Sequence, residues 1–135
     1  MARIFVTGTV REESSMTAIK TLLDKPGVVF ILMDQPLSQT IALLKRASLF
    51  IGNNSGILHI AAALNTPTIS TMGPTYPIEW SPYGDKGHNI VLNKKLPCSP
   101  CSKGICDHHS CMNDISVDEV MDKVKLFIKP AAQGI

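Results

Sequence analysis

The sequence predicts an α/β domain with a parallel sheet of four to five strands flanked by helices. Short apolar runs alternate with segments of helical periodicity, and the connections between them are short. One run, Val28 to Leu32, is apolar at every position, which is typical of a strand buried on both faces. The length of 135 residues favours a single domain over residues 1–135.

The first strand and helix occupy the N-terminal part of the chain. Arg3 to Thr7 is a short β-rich run that ends at Gly8. Ser14 or Ser15 can cap the following helix, which is expected to reach about Asp24. Its predicted inner face carries Met16, Ile19, Leu22 and Leu23.

A second strand and helix follow the Lys25-Pro26-Gly27 turn. The strand is the apolar run at 28–32. Asp34, interpreted as a capping residue, opens the next helix together with Pro36. The inner stripe of this helix is expected to be Leu37, Ile41, Leu44 and Ala47.

Two further strands and a helix complete the regular part of the pattern. Ser48 to Gly52 is the third strand, and Thr68 to Met72 is the fourth. Between them lies a helix from Ile57 to Leu64, ended by Asn65-Thr66-Pro67. This helix is apolar on nearly every side, so we expect it to be buried.

The pattern changes after Met72. Residues 73–88 are rich in Pro and Gly and predict an ordered loop, against which Trp80 is expected to pack. His88 to Leu92 predicts a fifth strand at the sheet edge, and a cysteine-rich loop spans residues 94–113. Ser116 and Glu119 have capping-box spacing at the start of a last helix over 116–129. Its expected inner face is Val117, Val120, Val124 and Phe127.

Composition and charge argue against nucleic-acid binding and against a membrane-spanning or secreted protein. The net charge of +2 is too small to indicate nucleic-acid binding, and no basic run is interleaved with aromatic residues. No apolar run approaches the length of a membrane span or a signal peptide. We therefore expect an intracellular, cytoplasmic protein.

The carboxyl ends of the predicted strands carry the candidate ligand contacts, because ligands bind outside these ends in open α/β sheets. We expect all four to lie on one rim: Thr7-Gly8-Thr9, Met33-Asp34, Asn53 to Gly56, and Met72 to Thr75. Ser55 and Gly56 stand at the start of the buried helix, where free N–H groups and the helix dipole favour an anion. An ordinary helix cap is the alternative for this turn, and a core position is the alternative for His59.

The cysteines read Cys98-x2-Cys101-x4-Cys106-x4-Cys111, with His108 and His109 between them. The first pair has metal-ligand spacing, but the second half does not repeat it. A zinc ion or an iron–sulfur cluster is one interpretation. Reduced thiols and disulfides are the others.

The stretch Asn53-Asn54-Ser55-Gly56-Ile57-Leu58-His59-Ile60-Ala61-Ala62-Ala63-Leu64-Asn65-Thr66-Pro67 resembles the signature of the heptosyltransferase family, glycosyltransferase family nine. The resemblance extends to Val6-Thr7-Gly8, Leu37 to Leu49, Gly73-Pro74-Thr75, Trp80, Pro82, Gly84, Cys98, Cys101, Cys106 and Cys111-Met112. It implies part of the Rossmann-like C-terminal domain of a GT-B glycosyltransferase. That domain holds a nucleotide-diphosphate sugar, usually ADP-heptose, whose sugar is transferred with inversion to the lipopolysaccharide core.

The resemblance also assigns donor-binding residues. Ser55, Gly56 and His59 match positions around the donor diphosphate, and Gly73-Pro74-Thr75 matches a second donor-side loop. Thr7 and Gly8 match the strand end that precedes the signature. Asn54 stands where the family usually has an aspartate, so hydrogen bonding is kept but charge and acid–base use are lost.

Two parts of the family pattern have no counterpart in this sequence. One is the N-terminal domain with the acceptor site and the proposed catalytic base, so the catalytic residues are unknown. The other is the first strand of the C-terminal domain, which is central in a Rossmann-like order. We hypothesise that the remaining strands close this gap in the order 2-1-3-4-5, with the first and third strands as neighbours.

The sequence thus predicts the donor-binding domain of a heptosyltransferase-like enzyme that is inactive as an isolated chain. Its expected partners are an ADP-sugar and a lipopolysaccharide-core acceptor, with no nucleic acid and no cofactor for transfer. Exposed sheet edges would favour a homodimer, and the location would be peripheral at the inner face of the inner membrane. The alternatives are a non-catalytic truncated homologue that binds a metal or a partner, and a nucleotide-sugar epimerase-like domain.

Overall fold

The computed structural model describes residues 3–23 and 25–128. Two compact units divide the chain after residue 40, and each is described by itself. Strands β1 (Ile4–Gly8) and β2 (Val29–Met33) belong to the first unit, and β3 (Phe50–Asn53), β4 (Thr68–Met72) and β5 (Asn89–Asn93) to the second. The helices are α1 (Glu13–Leu22), α2 (Leu37–Arg46), α3 (Gly56–Ala63), α4 (Pro77–Trp80), α5 (Ser110–Asn113) and α6 (Val117–Phe127). No helix within the described residues is long and apolar enough to cross a bilayer.

The first unit contains a parallel pair, β1 and β2, in which Phe5 lies opposite Phe30. Their rings stack with centroids 5.1 Å apart. A 3-10 turn at Val10–Glu12 precedes α1, and the backbone N–H of Thr9 donates to Glu12 Oε2 at 2.9 Å. Because this turn begins the helical segment early, Ser14 and Ser15 lie inside α1, and the prediction that either caps it is wrong. The predicted end at Asp24 lies outside the described residues.

The second unit contains three parallel strands in the order β3-β4-β5. The central strand β4 is the most enclosed, and its Ile69 and Met72 are fully buried. The prediction that the fifth strand lies at an edge is confirmed. Helix α3 contributes the fully buried Leu58 and Ala61, which confirms its burial.

The end of α3 is fixed by two consecutive residues. Asn65 adopts the left-handed conformation, with φ of 57°, which ends the helix as predicted. Thr66 is buried, and its hydroxyl donates to the carbonyl of Leu44 at 2.8 Å. This carbonyl of the last turn of α2, which also accepts from the Ala47 N–H at 3.0 Å, thereby receives a second hydrogen bond from the end of α3.

The α/β class with parallel strands flanked by helices is confirmed, but the strand-order hypothesis is wrong. The described strands form two sheets, β1-β2 and β3-β4-β5, with no ladder between β1 and β3 in residues 3–23 and 25–128. The alternation of strands and helices indicates parallel pairing. It does not determine which strands are adjacent, because a helical crossover allows more than one order.

The predicted inner faces of the helices are only partly correct. Each of α1, α2 and α6 buries one residue of its predicted stripe, namely Met16, Leu44 and Val124. Four other members are exposed, with fractions of 82% for Leu22, 38% for Leu23, 55% for Leu37 and 77% for Val117. All four stand at helix ends or caps, so these short helices cover their neighbours mainly with their middle turns.

Helix α6 begins with the predicted capping box. The Glu119 N–H donates to Ser116 Oγ at 3.2 Å, and the Ser116 N–H donates to Glu119 Oε2 at 2.8 Å. Lys94 Nζ lies 2.6 Å from Glu119 Oε1. The Lys94 hydrogen bond and then the Ser116 backbone bond lower the pKa of Glu119 below its ordinary value.

The loop after β4 is ordered, as predicted. Gly84 has φ of 118°, and an added Cβ would meet Asn89 Nδ2 at 3.0 Å. That amide donates to the Tyr83 carbonyl, while Asn89 Oδ1 accepts from Thr68. Trp80 differs from the prediction because 52% of its surface is exposed. It lies in the short helix α4, which turns much of the ring toward solvent.

Candidate functional site

The turn between β3 and α3 is open at its surface. Ser55 occupies the N-cap position in an extended conformation (φ −148°, ψ 170°), and its hydroxyl makes no capping hydrogen bond. Gly56, the first residue of α3, is exposed, and an added Cβ would meet nothing within 4 Å. The hydroxyl of Ser55 and the first N–H groups of α3 are therefore available to an anion at the positive end of the helix.

Hydrogen bonds join this turn to the loop after β4. Asn54 Nδ2 donates to Thr75 Oγ1 at 3.2 Å, and the Asn54 backbone N–H donates to the Thr71 carbonyl at 3.2 Å. Thr71 Oγ1 donates to Asn53 Oδ1 at 2.8 Å. The structure thus places residues 53–56 beside residues 72–75, as expected for the ends of neighbouring parallel strands.

The Gly73-Pro74-Thr75 loop is held by hydrogen bonds from two residues that the sequence did not identify as part of the site. Asn93 Nδ2 donates to the Met72 carbonyl at 3.0 Å, and Ser99 Oγ donates to the Gly73 carbonyl at 3.3 Å. Asn93 ends β5 beside β4, and polar residues at adjacent strand ends are a signal that could have identified it.

Gly73 also requires the absence of a side chain. It is buried, and an added Cβ would lie 2.9 Å from Met112 Sδ and 3.0 Å from Met112 Cγ. Such distances are shorter than ordinary contacts. Glycine at this position therefore allows the loop to pack directly on α5.

His59 lies one turn after Ser55 on α3 and is half-buried. The helix places it on the segment that begins at the open turn. A half-buried imidazole keeps part of its surface free, and its ring nitrogens can both donate and accept hydrogen bonds.

The remaining predicted site residues, Thr7 and Gly8, lie in the first unit at the end of β1. The Gly8 carbonyl accepts from the Asp34 N–H at 2.9 Å, so two of the predicted strand ends meet in this unit. Asp34 Oδ1 accepts from the Val10 N–H at 3.1 Å, at the start of the 3-10 turn. Asp34 therefore caps this turn and not α2, because its left-handed backbone (φ 46°) comes immediately after β2 beside the end of β1.

The second notable feature is a pocket of about 200 Å³ in the cysteine-rich loop. It is lined by Pro74, Cys98, Ser99, Cys101, Lys103, Gly104, Cys106, His108, His109, Cys111 and Met112. All four cysteines are free thiols, so the disulfide interpretation is not supported. Across residues 3–23 and 25–128, no group of three or more His, Cys, Asp or Glu side chains is arranged to hold a metal ion.

Comparisons with known proteins agree on one family. A family model described as glycosyltransferase family 9 (heptosyltransferase) matches residues 3–111. Lipooligosaccharide heptosyltransferase 2 of Campylobacter jejuni serotype O:2 is 34% identical over 113 residues, covering 82% of this chain and 32% of the relative. Lipopolysaccharide heptosyltransferase 1 of Pseudomonas aeruginosa is 35% identical over 72 residues, covering 53% of this chain and 20% of the relative.

A solved structure supports the fold. Escherichia coli ADP-heptose LPS heptosyltransferase II matches with a TM-score of 0.74 at 20% identity. The match covers 93% of this chain and 36% of that protein. This chain also spans only about a third of the length of the first curated relatives, with shares of 32% and 33%.

Proposed function

Since this chain belongs to glycosyltransferase family 9, the heptosyltransferase family, we propose that it forms the donor-binding part of a GT-B glycosyltransferase. The donor is a nucleotide-diphosphate sugar, with ADP-heptose favoured, and the acceptor is the lipopolysaccharide core. Membership of this family implies transfer without a cofactor. The matching family model favours sugar transfer over the epimerase-like alternative.

The observation that carries the proposal is the Asn54–Thr75 hydrogen bond beside the open start of α3. It unites two loops that converge on a helix N-terminus. There, backbone N–H groups and the helix dipole stabilise a diphosphate. Ser55 and Gly56 would contact the phosphates, and Gly73, Pro74 and Thr75 would border them.

The same residues can also stabilise the diphosphate as it leaves the sugar. As the sugar leaves, negative charge grows on the diphosphate, and preoriented N–H donors stabilise that charge. His59, half-buried on α3, would donate a hydrogen bond or a proton to it. Asn54 would contact the donor as a neutral amide. Thr7 and Gly8, at the end of β1, stay predicted donor-binding residues.

Acceptor activation needs a base that none of these residues supplies. We expect the base to come from a separate acceptor-binding domain, so this chain alone should bind nucleotide only weakly and transfer no sugar. The proposed location is the cytoplasm, peripheral at the inner face of the inner membrane where the acceptor is available. Nucleic acid is not an expected partner because the net charge is only +2.

A homodimer is also proposed. β3 and β5 are the edges of their sheet, and Ile51 on β3 is 51% exposed. Unpaired strand edges with apolar side chains favour pairing with another chain. Sedimentation equilibrium would reveal a dimer, and a monomer at all concentrations would contradict it.

Calorimetric titration with ADP, UDP and GDP tests the donor site. We expect selective binding of ADP, weakened about tenfold or more in Ser55→Trp because the indole fills the open turn. The matched control is Leu126→Trp, since Leu126 is 69% exposed in the last turn of α6. It should bind ADP as the unchanged chain does. Absence of any nucleotide binding at millimolar concentration would refute the proposal and favour a non-catalytic module.

A further inference from the structure

The cysteine pocket is not used by the proposed sugar transfer. All four cysteines of the sequence lie between positions 98 and 111, and all four line this one pocket with His108 and His109. The sequence around them supplies little core of its own. Ile105, a large apolar residue in this segment, is 89% exposed.

Cys101 and Cys111 are each attached to the loop after β4, and Cys106 lies between them in an irregular part of the chain. Cys111 is buried in α5, against Gly73. The Cys101 N–H donates to the Pro74 carbonyl at 2.9 Å. Residues 102–109 contain neither helix nor strand, and Cys106 lies among them. A loop with anchored ends, concentrated thiols and little apolar burial is the kind that a structural metal stabilises.

We propose that this pocket binds a zinc ion through the thiolates of Cys98, Cys101, Cys106 and Cys111. Thiolates are soft ligands that suit zinc, and four of them complete a closed tetrahedral site. The x2 spacing of the first pair is that of known zinc ligands. Each thiol releases a proton on binding, and zinc itself changes no oxidation state.

The charge of the site is partly offset within the pocket. Four thiolates and one zinc ion carry a net charge of −2, and the ammonium group of Lys103 belongs to a residue of the pocket wall. None of the four ligands is a proposed donor contact, although Pro74 borders both the pocket and the proposed nucleotide site.

Zinc binding must also reshape the segment. No three of the candidate side chains converge in the described residues, and zinc–sulfur bonds are about 2.3 Å long. The cysteine side chains must therefore rotate about χ1, which moves each Sγ atom, and residues 102–109 must also move. The metal-free chain should accordingly be less stable than the zinc-bound chain.

The test begins with the full chain, purified under reducing conditions without chelator and then exposed to zinc. Metal analysis after removal of free zinc should find about one equivalent per chain. Cys106→Ser should lose the zinc, whereas Ile105→Ser, which alters the adjacent exposed residue, should keep it. Cobalt(II) added to the metal-free chain should give a thiolate charge-transfer absorption in Ile105→Ser and lose it in Cys106→Ser.

Two further measurements separate loss of zinc from loss of folding. A chelator should lower the melting temperature of the unchanged chain, and added zinc should restore it, while far-UV circular dichroism shows whether Cys106→Ser remains folded. Less than about a tenth of an equivalent of zinc in the unchanged chain would overturn the proposal. Zinc retained equally by Cys106→Ser, an intact mass showing disulfides under reducing conditions, or bound iron with labile sulfide would each overturn it as well.

Discussion

Two glycines beside the proposed diphosphate site should respond in opposite ways to the addition of one methyl group. In Gly73→Ala the new Cβ would lie 2.9 Å from Met112 Sδ and 3.0 Å from Met112 Cγ. These distances are at least about 0.5 Å shorter than an ordinary contact of 3.5–4.0 Å. In Gly56→Ala the new Cβ would meet no atom within 4 Å.

Gly73→Ala should therefore lower the free energy of unfolding by about 1–3 kcal/mol, the usual cost of overpacking a buried position. Gly56→Ala should leave stability within about 0.5 kcal/mol of the unchanged chain. It should nevertheless weaken ADP binding, because the methyl group would take up open space at the turn proposed to hold the diphosphate. Urea denaturation followed by circular dichroism, combined with calorimetric titration, measures both effects.

A double variant tests the stated cause. Met112→Ala removes the sulfur and Cγ atoms that collide with the new methyl group, so Gly73→Ala should cost less in that background. Additive losses in Gly73→Ala/Met112→Ala, or unchanged stability in Gly73→Ala alone, would refute the packing argument. Unchanged ADP affinity in Gly56→Ala would refute the role assigned to the start of α3.

Four further predictions concern residues outside the proposed donor contacts. Ser70 has a buried hydroxyl with no hydrogen-bond partner among the described residues, so Ser70→Ala should be neutral or stabilising by up to about 1 kcal/mol in urea denaturation. By contrast, Thr66→Val should cost about 1 kcal/mol because it removes a buried hydrogen bond to the Leu44 carbonyl, which keeps only its bond from the Ala47 N–H; equal effects of the two changes would contradict this reasoning. Asn65→Ala should cost about 1 kcal/mol and Asn65→Gly nearly nothing in the same assay, because φ is positive there; similar losses would contradict the assignment. Lys94→Gln should raise the pKa of Glu119 toward 4.5 in a carboxylate NMR titration, and an unchanged pKa would argue against the ion pair. Since the folded pKa lies below the unfolded one, the stabilisation from ionised Glu119 is complete above about pH 4.5 and is lost as the pH falls through the folded pKa.

The sequence predicted the features that local chemistry determines. Strand β4 has the bounds expected, Thr68–Met72, because a β-branched run lies between Pro67 and Gly73. The capping box at Ser116 and Glu119 was likewise predicted, since its two hydrogen bonds join residues three apart. The adjacency of residues 53–56 and 72–75 followed from the rule for neighbouring parallel strands.

Features that depend on distant partners could not be predicted in this way. Nothing near Asp34 indicates that its carboxylate caps a turn at Val10, because the contact depends on how β1 and β2 pair. The support of the Gly73 carbonyl by Ser99 depends on the path of an irregular loop, which has no periodic sequence signal. The pairing of strands into two sheets also depends on long-range geometry that the alternation of elements does not encode.

The Pro74 carbonyl, which accepts from both the Cys101 and Ser102 N–H groups, has a consequence for observing this protein in solution. One oxygen serves two consecutive amides at 2.9 and 2.8 Å, so a displacement of Pro74 would break both bonds together. The two amides should therefore exchange their hydrogens with solvent as a correlated pair, slowly while the loop is ordered and rapidly when it opens. Their exchange rates would report the order of the proposed nucleotide loop from positions outside the donor site, in the absence of any ligand.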